Sequence, residues 1–217
     1  MRDYWNDIWR KGGIENYFSY AKGYATWKPS FLDMFKSHNV KSVCDAACGF
    51  GAYSVMLEKN GYTVCGFDIS EESVALTTRI MQAFCCNHGG YKVCSLTSIE
   101  YADAMFDAVV AHAVIDHLPL ADAKVALEEM LRILVPGGLL YITFDPMNEG
   151  DECKKYSILE DNSRLYDDGL LFRYYTEVDI HNLLYGRAII WTATNNKGER
   201  EFILQNKIIP LPEKNEV

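Results

Sequence analysis

The residues best suited to chemistry in this chain sit in one short turn. Val43-Cys44-Asp45-Ala46-Ala47-Cys48-Gly49-Phe50-Gly51 follows a strand-like run and opens a helix-like one. Its small residues let the backbone turn tightly and approach a ligand that a Cβ would hold away. Asp45 stands at the strand end, before the small residues. A dinucleotide fingerprint would read Gly-x-Gly-x-x-Gly. Here Ala47, Gly49 and Gly51 alternate, and Ser54 takes the place of the distal glycine. A second acid, Asp68, ends the next strand in Gly66-Phe67-Asp68-Ile69-Ser70, where a carboxylate can accept both hydroxyls of a ribose. Two imidazoles follow, His112 just past a later strand and His117 in the loop after it. Either could act as a base, since imidazole titrates near neutrality. Asp116 reads as a loop or helix-capping acid.

The elements that must hold these residues alternate in type. Tyr4, Trp5, Ile8 and Trp9 recur at helical spacing, which favours packing on the domain, and Lys28-Pro29-Ser30 opens a second helix running through Phe35. From residue 41 the pattern is βαβα. Strands are expected over 42–45, 62–67, 91–94, 106–111 and 139–144, and helices over 52–59, 70–86 and 121–134. Ser70 caps the middle helix and Glu71 and Glu72 suit its first turn. His88-Gly89-Gly90 ends it, and Pro136-Gly137-Gly138 breaks the next. This alternation predicts an α/β fold with a parallel sheet covered on both faces. Residues 146–160 read as loop. Asp167-Asp168-Gly169 signals a hairpin between 163–166 and 170–175. A helix capped by Thr176 follows over 176–184, and Asn195-Asn196-Lys197-Gly198 turns a second hairpin between 188–194 and 201–207.

With 217 residues the chain is long enough for one full core without disulfides. Its 49% hydrophobic and 24% charged content is that of a globular protein. A net charge of -9 disfavours nucleic acid, which selects for clustered Lys and Arg. The longest apolar runs are too short to span a bilayer and the first residues carry no signal pattern, so a cytoplasmic protein off the membrane is expected. Seven cysteines, an odd count set mostly in apolar runs, read as buried reduced thiols. Cys85, Cys86 and His88 match no zinc spacing, so no metal is expected. From Glu100 to Glu129 seven acids face one lysine, which reads as a solvated face or, on the functional side, a preference for an electropositive substrate.

The loop at Asp45 to Gly51 and the acid at Asp68 together resemble the class I S-adenosylmethionine-dependent methyltransferases. Further motifs match in order: Phe106-Asp107-Ala108-Val109-Val110-Ala111-His112 as the fourth strand, Ile115-Asp116-His117-Leu118 after it, and Leu131 to Leu140 as helix, turn and fifth strand. The resemblance covers about residues 38–208. It implies a Rossmann-like three-layer αβα sandwich with a seven-stranded, mostly parallel sheet and an antiparallel C-terminal hairpin strand. It implies methyl transfer from S-adenosylmethionine to a small-molecule acceptor of unknown atom, by a monomer or homodimer. The cofactor would be held by Asp45, Ala47, Cys48, Gly49, Gly51, Asp68, Ile69, Ser95, Leu96, Ala111 and His112. The sequence departs from the family at Ala47, where a glycine is usual, and at Ser95, where an acid is usual before the adenine. His112 and His117 are the candidate bases. Residues 1–38 would form a helical cap or lid on a domain of residues 39–217, with a substrate-side insertion at about 146–175. Tyr24, Trp27 and Tyr174 are the candidate lid and substrate residues. A nicotinamide-dependent oxidoreductase and a non-catalytic S-adenosylmethionine-binding protein stand as the alternatives.

Overall fold

The computed structural model describes residues 1–86, 90–146 and 155–208. His88 and Cys153 lie outside the described residues.

Apolar residues alternate along the central strands, so each strand feeds two cores. Strand β1 (Ser42–Ala46) points Val43 to one face and Cys44 to the other; β4 (Phe106–Ala111) does the same with Val110 and Val109. Strands buried on both faces require helices on both sides. Helices α3 (Phe31–Ser37) and α4 (Ala52–Lys59) cover one face, through Phe31, Phe35, Met56 and Leu57. Helices α6 (Leu120–Arg132) and α7 (Glu177–Leu183) cover the other, through Ala126, Leu127, Met130 and Ile180.

With β2 (Thr63–Asp68), β3 (Tyr91–Val93), β5 (Leu134–Phe144), β9 (Arg187–Thr194) and β10 (Arg200–Ile208), the sheet has seven strands in the order β3-β2-β1-β4-β5-β10-β9. The first five run parallel. Strand β10 pairs antiparallel with β5 and β9. This is the Rossmann-like sandwich expected from the sequence. The strand order reverses between β1 and β4, so a crevice opens beyond their carboxyl ends, where open α/β sheets bind ligands.

Local differences from the sequence reading have physical causes. Helix α5 (Glu71–Ala83) starts as expected, with Ser70 Oγ accepting from the Ser73 N–H, but ends before Phe84, because Cys85 takes a left-handed φ of 52°. Helix α2 (Ile14–Tyr24), unforeseen in the sequence, stands between α1 (Arg2–Gly12) and α3. Ser30 precedes α3 without making a side-chain capping bond. Strand β5 begins at Leu134, not Leu139, and runs through Pro136-Gly137-Gly138 as a bulge whose register against β4 shifts between Phe106 and Ala108. Tyr156–Ile158, read as loop, is strand β6. It pairs with β7 (Arg164–Tyr166), which pairs with β8 (Leu171–Phe172), so the expected hairpin belongs to a three-stranded sheet. No helix among the described residues is long and apolar enough to cross a membrane.

Candidate active site

The strand ends and the loops after them enclose a cleft of about 340 Å³, within the usual range for ligand pockets. Its floor is the turn after β1. Ala47 has φ +58° and Gly49 φ +55°, so the alanine adopts a conformation that glycine takes at no steric cost. Ala113, on the far wall, is likewise left-handed with φ +49°. Gly51 caps α4 at φ +80°, and a Cβ there would sit 2.7 Å from Thr77 Cγ2. Thr77 and Ser73 hydroxyls both donate to the Gly49 carbonyl and fix the turn on α5.

Asp45 and Asp68 end adjacent parallel strands and line this cleft. Asp45 is buried and accepts a hydrogen bond from Ser54 Oγ at 2.5 Å. Burial pushes its carboxyl up to about 6, against the pull of Ser54 and His112. Asp68 accepts the backbone N–H of Gly49 at 3.0 Å and of Ser70 at 2.9 Å. Burial raises it too, offset in part by those N–H groups. A carboxylate has about four acceptor positions, so two backbone donors leave room for two ribose hydroxyls.

Ile69, Ser95, Leu96, Cys48 and Ala47 line the same cleft. The Ser95 hydroxyl is 2.9 Å from Thr97 Oγ1 and also accepts the Thr97 N–H. Gly51 and Ala111 do not face the cleft; Gly51 shapes the turn and Ala111 is buried beneath.

Both imidazoles reach the cleft. His112 stacks on Tyr53 with ring centroids 4.3 Å apart, and its Nε2 lies 3.0 Å from Glu199 Oε1. Oε1 has no in-line hydrogen-bond donor, so this contact is electrostatic. Burial pushes the Glu199 carboxyl up, but the His112 ring, Thr143 and Asn195 bring it below its ordinary value. His117 donates from Nδ1 to the Leu171 carbonyl at 3.0 Å, and burial lowers its pKa, so the ring is neutral with Nδ1 protonated. Asp116, read as a cap or loop acid, is instead fully buried and holds the Asp145 N–H at 3.1 Å. Burial raises it to about 8.

Helix α1 has no fully buried residue, but Trp9 packs against the cluster of Ala21, Val55, Leu76, Ile80 and Met81, in line with its helical spacing. Trp5 and Trp9 have a further role. They line the cleft: Trp9 lies over the loop, with ring carbons 3.0 Å from where a Gly49 Cβ would stand, and Trp5 meets His117 edge-on at 5.0 Å. Trp9 and Tyr17 gather around Phe50, whose aromatic ring gave no sequence signal beyond its place between two glycines. Arg10 to Glu72 and Ser70 to Asn6 tie α1 to the start of α5.

A second, larger cleft of about 820 Å³ meets the first at Tyr24, Tyr53, His112 and Ala113. Trp27 lines this one, while Tyr174 lies under the Arg200 guanidinium and on neither cleft. Glu199 and Glu201, which also line it, escaped sequence reading because a carboxylate beside a hairpin turn looks like a solvated one.

The six described cysteines are unpaired; Cys44, Cys48 and Cys94 are buried, but Cys85 is exposed. Among the described residues no cluster of His, Cys, Asp and Glu is arranged to hold a metal.

Residues 44–142 match the family described as "Methyltransferase domain". Its seven-stranded sheet and this loop are those that a likeness to the class I S-adenosylmethionine-dependent methyltransferases implies. It is 34% identical over 105 residues to the mitochondrial ubiquinone biosynthesis O-methyltransferase of Homo sapiens, covering 46% of this chain and 28% of that one. It is 29% identical over 122 residues to the malonyl-[acyl-carrier protein] O-methyltransferase of Erwinia pyrifoliae, covering 55% of this chain and 42% of that one. The chain thus spans less than half the length of these curated relatives. Its fold is also that of magnesium protoporphyrin IX methyltransferase from Synechocystis, solved with bound SAM. The TM-score is 0.64 at 21% identity, over 95% of each chain.

Proposed function

We propose that this protein transfers a methyl group from S-adenosylmethionine to a small-molecule acceptor seated where the two clefts meet. The observation that supports this best is the convergence of Asp45, Asp68 and His112 on one cleft, from the ends of β1, β2 and β4. In this reading Asp68 accepts the ribose hydroxyls, the turn from Asp45 to Gly51 holds the methionine portion, and Ser95 and Leu96 flank the adenine. When bound, the cofactor supplies an electrophilic methyl group on a sulfonium. The chain supplies approach, orientation and a partly desolvated cleft. His112 takes a proton from the acceptor where the acceptor carries one. Its Nε2 lies 3.0 Å from the Glu199 carboxylate, which orients the ring. His117, already committed to Leu171, holds the loop after β4. Helix α1 acts as the lid, with Trp5 and Trp9 as its inner face.

Small-molecule acceptors fit a cleft of about 820 Å³. The test is transfer of isotope-labelled methyl groups from the cofactor into a small-molecule extract. Label is expected in a low-mass product with the native protein and not with Asp68→Ala. A native protein that binds S-adenosylhomocysteine yet moves no label into any fraction would favour the non-catalytic binding reading.

A further inference from the structure

The second cleft has a chemical character that selects among acceptors. Its walls are aromatic: Tyr24, Trp27 and Tyr53 line it. Its depth is acidic. Glu199 is only 9% exposed, and its Oε1 lies 3.0 Å from His112 Nε2. Asp145 and Glu201 are half-buried on the same cleft. The two cations that also line it, Lys28 and Lys197, are exposed. Solvent and salt screen exposed charges far more than buried ones, so the two lysines weigh less inside the cleft than the carboxylates, whose neighbouring half-buried cation is Arg200 beside Asp145. Carboxylates beside aromatic faces are the surroundings that a cation prefers, through ion pairing and attraction to the ring quadrupole.

We propose that the methyl acceptor is an amine that arrives as an ammonium, held in the second cleft by Glu199 and its neighbouring carboxylates against the tyrosine and tryptophan rings. This rests on the methyltransferase reading and narrows it to nitrogen. Bound next to His112, the ammonium gives one proton to the His112 ring and so gains a lone pair. That pair forms the new nitrogen–carbon bond as the sulfur–carbon bond breaks, and the methylated ammonium carries the positive charge that the sulfonium loses. Glu199 is a positioning residue in this scheme: its Oε1 lies 3.0 Å from His112 Nε2, which sets the carboxylate beside both the ring and the ammonium.

The test is calorimetry on the full chain already saturated with S-adenosylhomocysteine. The probes are a panel of aryl-alkyl and alkyl primary amines, each paired with the alcohol and the carboxylate of the same skeleton. Binding of S-adenosylhomocysteine itself is measured first, so its absence counts against the cofactor reading and not against the acceptor class. With that binding intact, at least one amine is expected to bind tenfold or more tightly than its alcohol, with its carboxylate weaker still. In Glu201→Gln that preference should fall at least threefold while S-adenosylhomocysteine affinity stays unchanged. A preference for alcohols or carboxylates, equal binding within each set, or no binding by any amine in the panel overturns the proposal. A preference that survives both Glu201→Gln and Glu199→Gln overturns the assignment to this cleft.

Discussion

At the scale of single residues, burial outweighs partnership at several carboxyls. Asp116 shows it most clearly: one oxygen takes the Asp145 N–H, the other has no hydrogen-bond partner, and burial raises the group to about 8. Between the ordinary carboxylate value and that one, the folded protein holds a proton that the unfolded chain has released. Stability therefore falls as pH rises through this window. Below the ordinary imidazole value the opposite trend of His117, whose folded pKa is lowered, sets in. From about pH 6.5 to 8 the Asp116 contribution should dominate, at roughly 1.4 kcal/mol per pH unit at most. Chemical denaturation across that range should show native stability declining with pH, and Asp116→Asn should flatten the decline. Equal slopes for the two proteins would place the proton elsewhere. Gly51 is the second sensitive position. A methyl there meets both a left-handed backbone and Thr77 Cγ2 at 2.7 Å. Gly51→Ala should cost about 2–4 kcal/mol in the same measurement, from backbone strain and overpacking together.

At the scale of elements, much was legible because periodicity and capping are local. The alternation of Val43 with Cys44 and of Val109 with Val110 marks doubly buried strands before any packing is known. Ser70 and Thr176 announce helix starts with bonds that the structure contains. The positions that line the cleft on the cofactor side were legible too, since the turn after β1 and the acid after β2 are read from spacing. The rest depends on contacts distant in sequence. Glu199 is far from His112 in the chain, yet antiparallel β10 carries it to 3.0 Å from that ring. Trp5 and Trp9 have the spacing of an ordinary amphipathic helix. Nothing local shows that they also line the cleft. A helix with no buried residue is held weakly and should open readily. Amide hydrogens of α1 are expected to exchange faster than those of α4 and to slow when S-adenosylhomocysteine binds. Trp9→Ala should weaken that binding several-fold, read by titration. Unchanged exchange in α1 on binding would rule it out as the lid.

At the scale of the whole molecule, the sheet does two jobs with one change of strand direction. Its parallel half ends in the turn and acids of the first cleft, and its antiparallel hairpin brings Glu199 and Glu201 to the second. The two clefts share His112 and Tyr53, so a molecule in one is adjacent to a molecule in the other. Ligand bound only to the folded state adds stability by mass action, about 2.7 kcal/mol at a hundredfold excess over Kd. If Asp68 holds the ribose of S-adenosylmethionine in the first cleft, calorimetric titration of S-adenosylhomocysteine should distinguish native protein from Asp68→Ala. Micromolar binding is expected for the native protein, weakening tenfold or more in the variant, a loss of about 1.4 kcal/mol or greater. No binding by the native protein, or equal binding by a folded Asp68→Ala, would contradict this expectation.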